Sequence, residues 1–323
     1  MKTMDKRGKI VFMGTPLFAV TPFKRLIEEG FDVAAVVTVP DKPSGRGLVP
    51  SQSEVKIYAS SLNIPVLQPV SLRDPEFLNE LSDFRADLFI VVAFRMLPKE
   101  VWSMPVLGTF NLHASLLPNY RGAAPINWAV INGEAKTGVT TFLIDEKIDT
   151  GAILFSEECE ISEDETAGVL HDRLMTLGGE LVVKTTNALF NGNASPVAQP
   201  VKDITHILPA PKLSRETGKI DWSRSAADIH NLVRGLSPYP AAHSVLTDGQ
   251  KEIPVKIFLS RYFLRDNNCE FGKITNISKN SFHVECKGGS VEILEVQLPG
   301  KKKVSAREFL AGFRNPESFR FIW

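Results

Sequence analysis

"FNLHASLLPNYRGAAP", residues Phe110 to Pro125, decides how this chain is read. Apolar and polar residues alternate from Phe110 to Ser115, the period-two pattern of a strand with one buried face. The polar side carries Asn111, His113 and Ser115, and the chain then turns at Pro118 and Gly122. Residues two apart project from the same side of a strand, so Asn111 and His113 can reach one small group. A carboxamide N–H and a protonated imidazole both donate hydrogen bonds. Together they suit an oxygen that gains negative charge during acyl transfer. The plainer reading of the same pair is two polar side chains beside a turn, satisfied by backbone. A serine nucleophile at Ser115 with His113 as its base would need strand neighbours to meet, and no G-x-S-x-G elbow surrounds it.

Working outward, the flanking segments alternate in type. "KIVFM" (9–13), "DVAAVVTV" (32–39), "LFIVVAF" (88–94) and "GVTTFLI" (138–144) are apolar, β-branched runs. Between them, "PFKRLIEE", "SEVKIYASSL" and "PINWAVIN" have helical patterning, and Ser162 with Glu165 forms a capping-box signal ahead of a long helix ending near Asn191-Gly192. Such alternation predicts an α/β fold, a Rossmann-like, mostly parallel sheet with helices on both faces. Ligands of such sheets bind at the carboxyl ends of the strands, where the residues after "VVAF" and "FNLHA" fall. Met13-Gly14-Thr15-Pro16 occupies the first strand–helix turn but keeps only one glycine of the G-x-G-x-x-G pattern, so a nicotinamide cofactor has little support.

Prolines 196, 200, 209 and 211 mark residues 194–213 as an extended linker between a domain spanning 1–193 and another spanning 214–323. In the latter, a helix over Ala226–Leu236 precedes the short strand-like runs "VKIFLSRYF", "FGKITNIS", "SFHVEC" and "VEILEVQL", which predict a small, OB-like β-barrel. Two domains also fit a length of 323 residues.

The 43% hydrophobic and 23% charged content excludes a disordered or collagenous chain. No apolar run approaches the ~18 residues of a membrane span, and Gly14 and Pro16 break the basic-then-apolar start that otherwise imitates a signal peptide. Three scattered cysteines (159, 269 and 286) and six histidines without metal-ligand spacing predict no disulfide framework and no metal, hence a cytoplasmic protein. Residues 1–210 hold 19 Lys/Arg against 25 Asp/Glu, and residues 211–323 hold 18 against 12. The second part is thus basic by six charges, which points to a polyanionic partner or to an incidental surface imbalance.

"NLHASLLPNYRGAAP" resembles the signature of the folate-dependent formyltransferases, whose core is Asn-x-His followed closely by Ser-Leu-Leu-Pro and Arg-Gly. "TGVTTFLIDEKIDTGAI" (137–153), the "FMGTP" start, the "DKPSGRG" loop and "GKIDW" (218–222) match the same family over nearly the whole length. The resemblance implies that residues 1–193 are catalytic and that residues 214–323 bind tRNA. It also implies transfer of the formyl group of 10-formyltetrahydrofolate to the amino group of initiator methionyl-tRNA, by a monomer. It assigns catalysis to Asn111, His113 and Asp149, and folate binding to Ser115, Leu116, Leu117 and Pro118, with backbone near "AFRML" (93–97) against the pterin. Arg95 and Met96 depart from the family pattern there. Asp149 precedes Thr-Gly, a pattern shared with aspartic proteases, but only one copy occurs; Asp145 is a rival acid in the same loop. Arg46, between two glycines, matches the arginine that meets the tRNA acceptor stem, and Lys301-Lys302-Lys303 is either a further phosphate contact or a solvated turn. The alternatives are a sugar-amine N-formyltransferase with the same catalytic motif, and an inactive RNA-binding protein.

Overall fold

A computed structural model describes residues 8–44, 49–200, 207–266, 270–313 and 315–323. Arg46 therefore lies outside the described residues. The chain forms two compact units: residues 1–122, 138–159 and 171–209 make the first, and residues 123–137, 160–170 and 210–323 the second. Residues 123–137 and 160–170 thus pack with the C-terminal unit although they precede the proline-rich segment.

The first unit is built on a seven-stranded sheet. Its strands are β1 (Lys9–Gly14), β2 (Asp32–Val37), β5 (Val66–Leu67), β6 (Leu88–Val92), β7 (Thr109–His113), β9 (Lys136–Leu143) and β10 (Ile153–Glu160). Strands β3 (Lys42–Ser44) and β4 (Val49–Ser51) form a separate hairpin, and the two-residue strands β8 (Arg121–Gly122) and β11 (Pro209–Ala210) also lie outside this sheet. The order is β10-β9-β7-β6-β1-β2-β5. Neighbours from β7 to β5 run parallel, and β9 is antiparallel to β7. From β1 the chain builds outward to β2 and β5, then returns to β6 on the other side. The strand order therefore reverses between β1 and β6, the place where open α/β sheets form a ligand crevice.

Helices cover both faces. On one, Phe12 stacks on Phe23 of α1 (Leu17–Glu28) with ring centroids 5.1 Å apart. On the other, Val11, Met13, Phe89 and Val91 share a core with Phe77 and Leu81. Side-chain caps start two of these helices: Ser53 accepts from the Lys56 amide to begin α2 (Glu54–Ser61), and Asp74 from that of Glu76 to begin α3 (Pro75–Asp83). After α4 (Lys99–Trp102) and α5 (Pro125–Ile131) comes α6 (Ala167–Phe190), the long helix expected ahead of Asn191-Gly192. Gly178 lets α6 close on β7, since a Cβ there would stand 2.7 Å from Leu112 Cδ2. The Phe110–Leu112 side of β7 is thereby committed to core, with each such side chain contributing about 1.5–3 kcal/mol on burial. Asn111 and His113 are left to the opposite face.

In the second unit, α7 (Ala226–Leu236) begins at a Ser225 cap. The strands are β12 (Ala242–Thr247), β13 (Glu252–Leu264), β14 (Ile274–Thr275), β15 (Phe282–Cys286), β16 (Gly289–Gln297), β17 (Val304–Ser305) and β18 (Arg320–Ile322). They pair antiparallel in the order β14-β15-β16-β13-β12-β18, with β17 on β16. A further antiparallel bridge, Lys273 to Arg320, joins the two ends of that series and closes it into a barrel. Ile229, Val233, Val255, Ile257, Val284, Val291 and Phe321 fill its interior.

Candidate active site

His113 ends β7 at the carboxyl edge of the sheet, beside β6 and next to the reversal point. Its ring is 6% exposed. Nε2 lies 2.8 Å from the carbonyl oxygen of Tyr120. A carbonyl can only accept, so Nε2 carries the hydrogen and Nδ1 is the nitrogen left for chemistry. Nδ1 is 4.0 Å from Asp149 Oδ2, close enough to feel the charge but beyond a hydrogen bond. The imidazole is thus oriented by the Tyr120 backbone.

Asp149 is itself held from two sides. Oδ2 accepts a 3.0 Å hydrogen bond from the Gly122 amide, and the Asp149 carbonyl accepts one of 2.9 Å from Gln199 Nε2. Its rival in the loop does different work: Asp145 Oδ1 accepts from the Lys147 amide and the Thr150 hydroxyl, and so folds the loop that presents Asp149. Asn111 projects from the same side of β7 as His113, and its carboxamide has no hydrogen-bond partner among the described residues. It is free to donate.

Three non-glycine residues around this edge adopt left-handed backbone: Ala93 (φ 48°) after β6, Tyr120 (φ 60°) and Asp149 (φ 53°). Such conformations cost on the order of 1–3 kcal/mol each and persist where the surroundings fix them. Among the described residues, four buried side-chain atoms lack a partner, and three are Thr15 Oγ1 after β1, Arg95 Nε after β6, and Arg121 Nε beside the Asp149 anchor. Buried donors without partners are rare in native folds. The other nitrogens of the Arg95 guanidinium rest on the Pro69 and Val70 carbonyls.

That turn is Ser115-Leu116-Leu117-Pro118. Ser115 is fully buried, with its hydroxyl on the Asn119 carbonyl and its own carbonyl accepting from Thr140 Oγ1. The Leu117 amide is 3.3 Å from the same threonine oxygen. These polar groups are occupied in pinning the turn to β9. What they leave to a ligand is the shape of the turn and the half-buried flanks of Leu116 and Pro118.

Residues 8–186 match the model of the formyl transferase family, and residues 212–314 that of its C-terminal domain. The chain belongs to the formyl transferase family. The methionyl-tRNA formyltransferase of Flavobacterium johnsoniae is 51% identical over 304 residues, covering 94% of this chain and 96% of that protein. That of Bacteroides thetaiotaomicron is 47% identical over 322 residues, 99% of each. Among solved structures, the N-formyltransferase of Helicobacter canadensis superposes with a TM-score of 0.65 at 21% identity, covering 88% of this chain and 97% of that one. The sugar 3N-formyl transferase WlaRD gives 0.63 at 20% identity, over 92% and 99%. At such identities the structural likeness speaks for the formyl transferase fold.

Within this formyl transferase, the structure brings Asn111, His113, Asp149 and the 115–118 turn to one edge of one sheet. Three contacts were not evident from the motif: the Tyr120 carbonyl, the Gly122 amide and Gln199. The first two are main-chain groups with no side-chain signature, although "NYRG" beside the Asn-x-His strand was their only available signal. Gln199 lay in a segment read as linker. No cluster of His, Cys, Asp or Glu suited to a metal ion occurs among the described residues.

Proposed function

We propose that this protein transfers the formyl group of 10-formyltetrahydrofolate to the α-amino group of initiator methionyl-tRNA, as a monomer in the compartment where translation begins. The observation that carries the acceptor is the 47–51% identity over 94–99% of the chain with proteins named for that reaction. The folate is read into the carboxyl edge of the sheet, where the strand order reverses between β1 and β6 beside the His113 end of β7. Ser115 and Leu117 shape the turn that walls this slot, and Leu116 and Pro118 flank the ligand. When bound, the folate supplies an activated formyl group on a nitrogen that leaves readily.

The chain's own residues then divide the work. Asn111 donates its open carboxamide N–H to the carbonyl oxygen on which charge develops, a contribution of about 3–4 kcal/mol when such donors are preorganised. α-Amino groups titrate near pH 7.7–8.0 in the reference state, so a neutral nucleophile is accessible without a strong base. His113 accepts the proton that the amine sheds, at Nδ1, because Nε2–H is committed to Tyr120. The imidazolium so formed lies 4.0 Å from the Asp149 carboxylate, and Nδ1 returns the proton to the departing nitrogen. Arg46 and the basic C-terminal unit are proposed to meet the tRNA backbone, with residues 1–193 catalytic, 194–213 connecting and 214–323 binding RNA.

The test offers methionyl-initiator tRNA and a nucleotide-linked amino sugar in parallel, with the same formyl donor. Formylation of the tRNA alone is the expected result. Preferential formylation of the sugar would replace this reading with that of a sugar N-formyltransferase.

A further inference from the structure

We infer that Gln199 is a positioning residue for the reaction, an inference that rests on reading His113 and Asp149 as reacting groups. Its side chain is 7% exposed, and both ends of its amide are used. Nε2 donates to the carbonyls of Asp149 and Gly151, each at 2.9 Å. Oε1 accepts from Arg121 Nη2 at 2.6 Å. The segment carrying it is docked: Ile153 and Val197 exchange two 2.8 Å backbone hydrogen bonds in an antiparallel bridge. So the stretch read as an extended linker is, at 197–199, a strap laid across the Asp149 loop.

The consequences converge on the reacting atoms. Two donors from one amide fix the peptide planes that follow Asp149 and Gly151, and with the first the left-handed backbone of Asp149. The third contact holds Arg121, which lies between Tyr120, whose carbonyl sets the His113 tautomer, and Gly122, whose amide holds the Asp149 carboxylate. One side chain thereby ties the support of the imidazole to the support of the carboxylate. A glutamine fits this place because it alone among the common side chains of that length presents two donors and an acceptor at one planar end. Glutamate would set an anionic oxygen against two carbonyls, and methionine would fill the space with no hydrogen bond.

The experiment compares Gln199→Met and Gln199→Glu with the wild type and with Asp149→Ala. Each is assayed for kcat and for KM of both substrates. Rates are normalised to the folate-binding fraction from titration calorimetry with 5-formyltetrahydrofolate, so that unfolded enzyme does not count. Both Gln199 variants are expected to lose kcat by roughly ten- to a hundredfold, the usual effect of removing a group that orients a reacting one, with both KM values within about twofold. If the methionine variant does not fold, the glutamate variant, which keeps the Arg121 acceptor, carries the same expectation. A normalised kcat equal to wild type in either folded variant, while Asp149→Ala is inactive, overturns the role of Gln199. Full activity in Asp149→Ala overturns instead the reading on which it rests.

Discussion

At the scale of single residues, the proton transfer turns on which nitrogen of His113 bears the hydrogen. The Tyr120 carbonyl at 2.8 Å allows only a donor, which forces the Nε2–H form and leaves Nδ1 for the amine's proton. Nitrogen-15 NMR of labelled enzyme at a pH where the ring is neutral is expected to show Nε2 as the protonated nitrogen; a dominant Nδ1–H tautomer would reverse the assignment of roles. Asn111 is the other residue-level claim. Its carboxamide makes no bond to the described protein that substitution could break, so Asn111→Ala should leave the thermal midpoint within a few degrees of wild type. The same change should slow transfer by about 100–1,000-fold, the range for loss of one preorganised donor. A variant that is destabilised yet fast would identify Asn111 as structural.

At the scale of elements, much was legible because the periodicities were clean. The apolar runs at 9–13, 32–39 and 88–94 became β1, β2 and β6, and the helix read over Ala226–Leu236 has those limits. The strand of the opening quotation became β7, with Asn111 and His113 on its open side. In the proline-rich segment, proline marks an extended chain but does not say whether that chain floats or docks; Val197 and Gln199 dock. Main-chain partners such as Tyr120 and Gly122 were beyond reach for another reason, namely that every residue carries the same amide and carbonyl. Close packing of elements near the site gives a test at this scale. A Cβ on Gly151 would fall inside the Leu143 carbonyl oxygen, so Gly151→Ala must push the β9–β10 connection apart. The expected cost is about 3 kcal/mol in urea unfolding, together with loss of transfer, because Asp149 rides on the same loop. An unchanged urea midpoint would show that the connection gives way freely.

At the scale of the whole molecule, the two units respond to different variables. In the second unit, burial holds His230, His243 and His283 below the usual histidine range. For His230 the Glu163 carbonyl and the Asp164 and Glu163 carboxylates pull the other way, and Arg234 reinforces burial. A histidine kept neutral by the fold binds fewer protons than it does when unfolded. Its contribution to stability is therefore whole above the unfolded value near 6.5 and is lost as pH falls through and below it. Denaturant unfolding followed at about pH 7.5 and about pH 5.5 should show lower stability at the acid end, with a smaller drop in His230→Gln; equal drops would mean that His230 is not kept neutral. The first unit carries the central claim, that His113 moves the proton in a crevice which binds folate without it. Single-turnover formyl transfer by His113→Ala, loaded with saturating 10-formyltetrahydrofolate and methionyl-initiator tRNA, tests this most directly. Transfer slowed by at least about a hundredfold, with folate affinity within a few-fold of wild type, is the expected result. Transfer at near wild-type rate would contradict it.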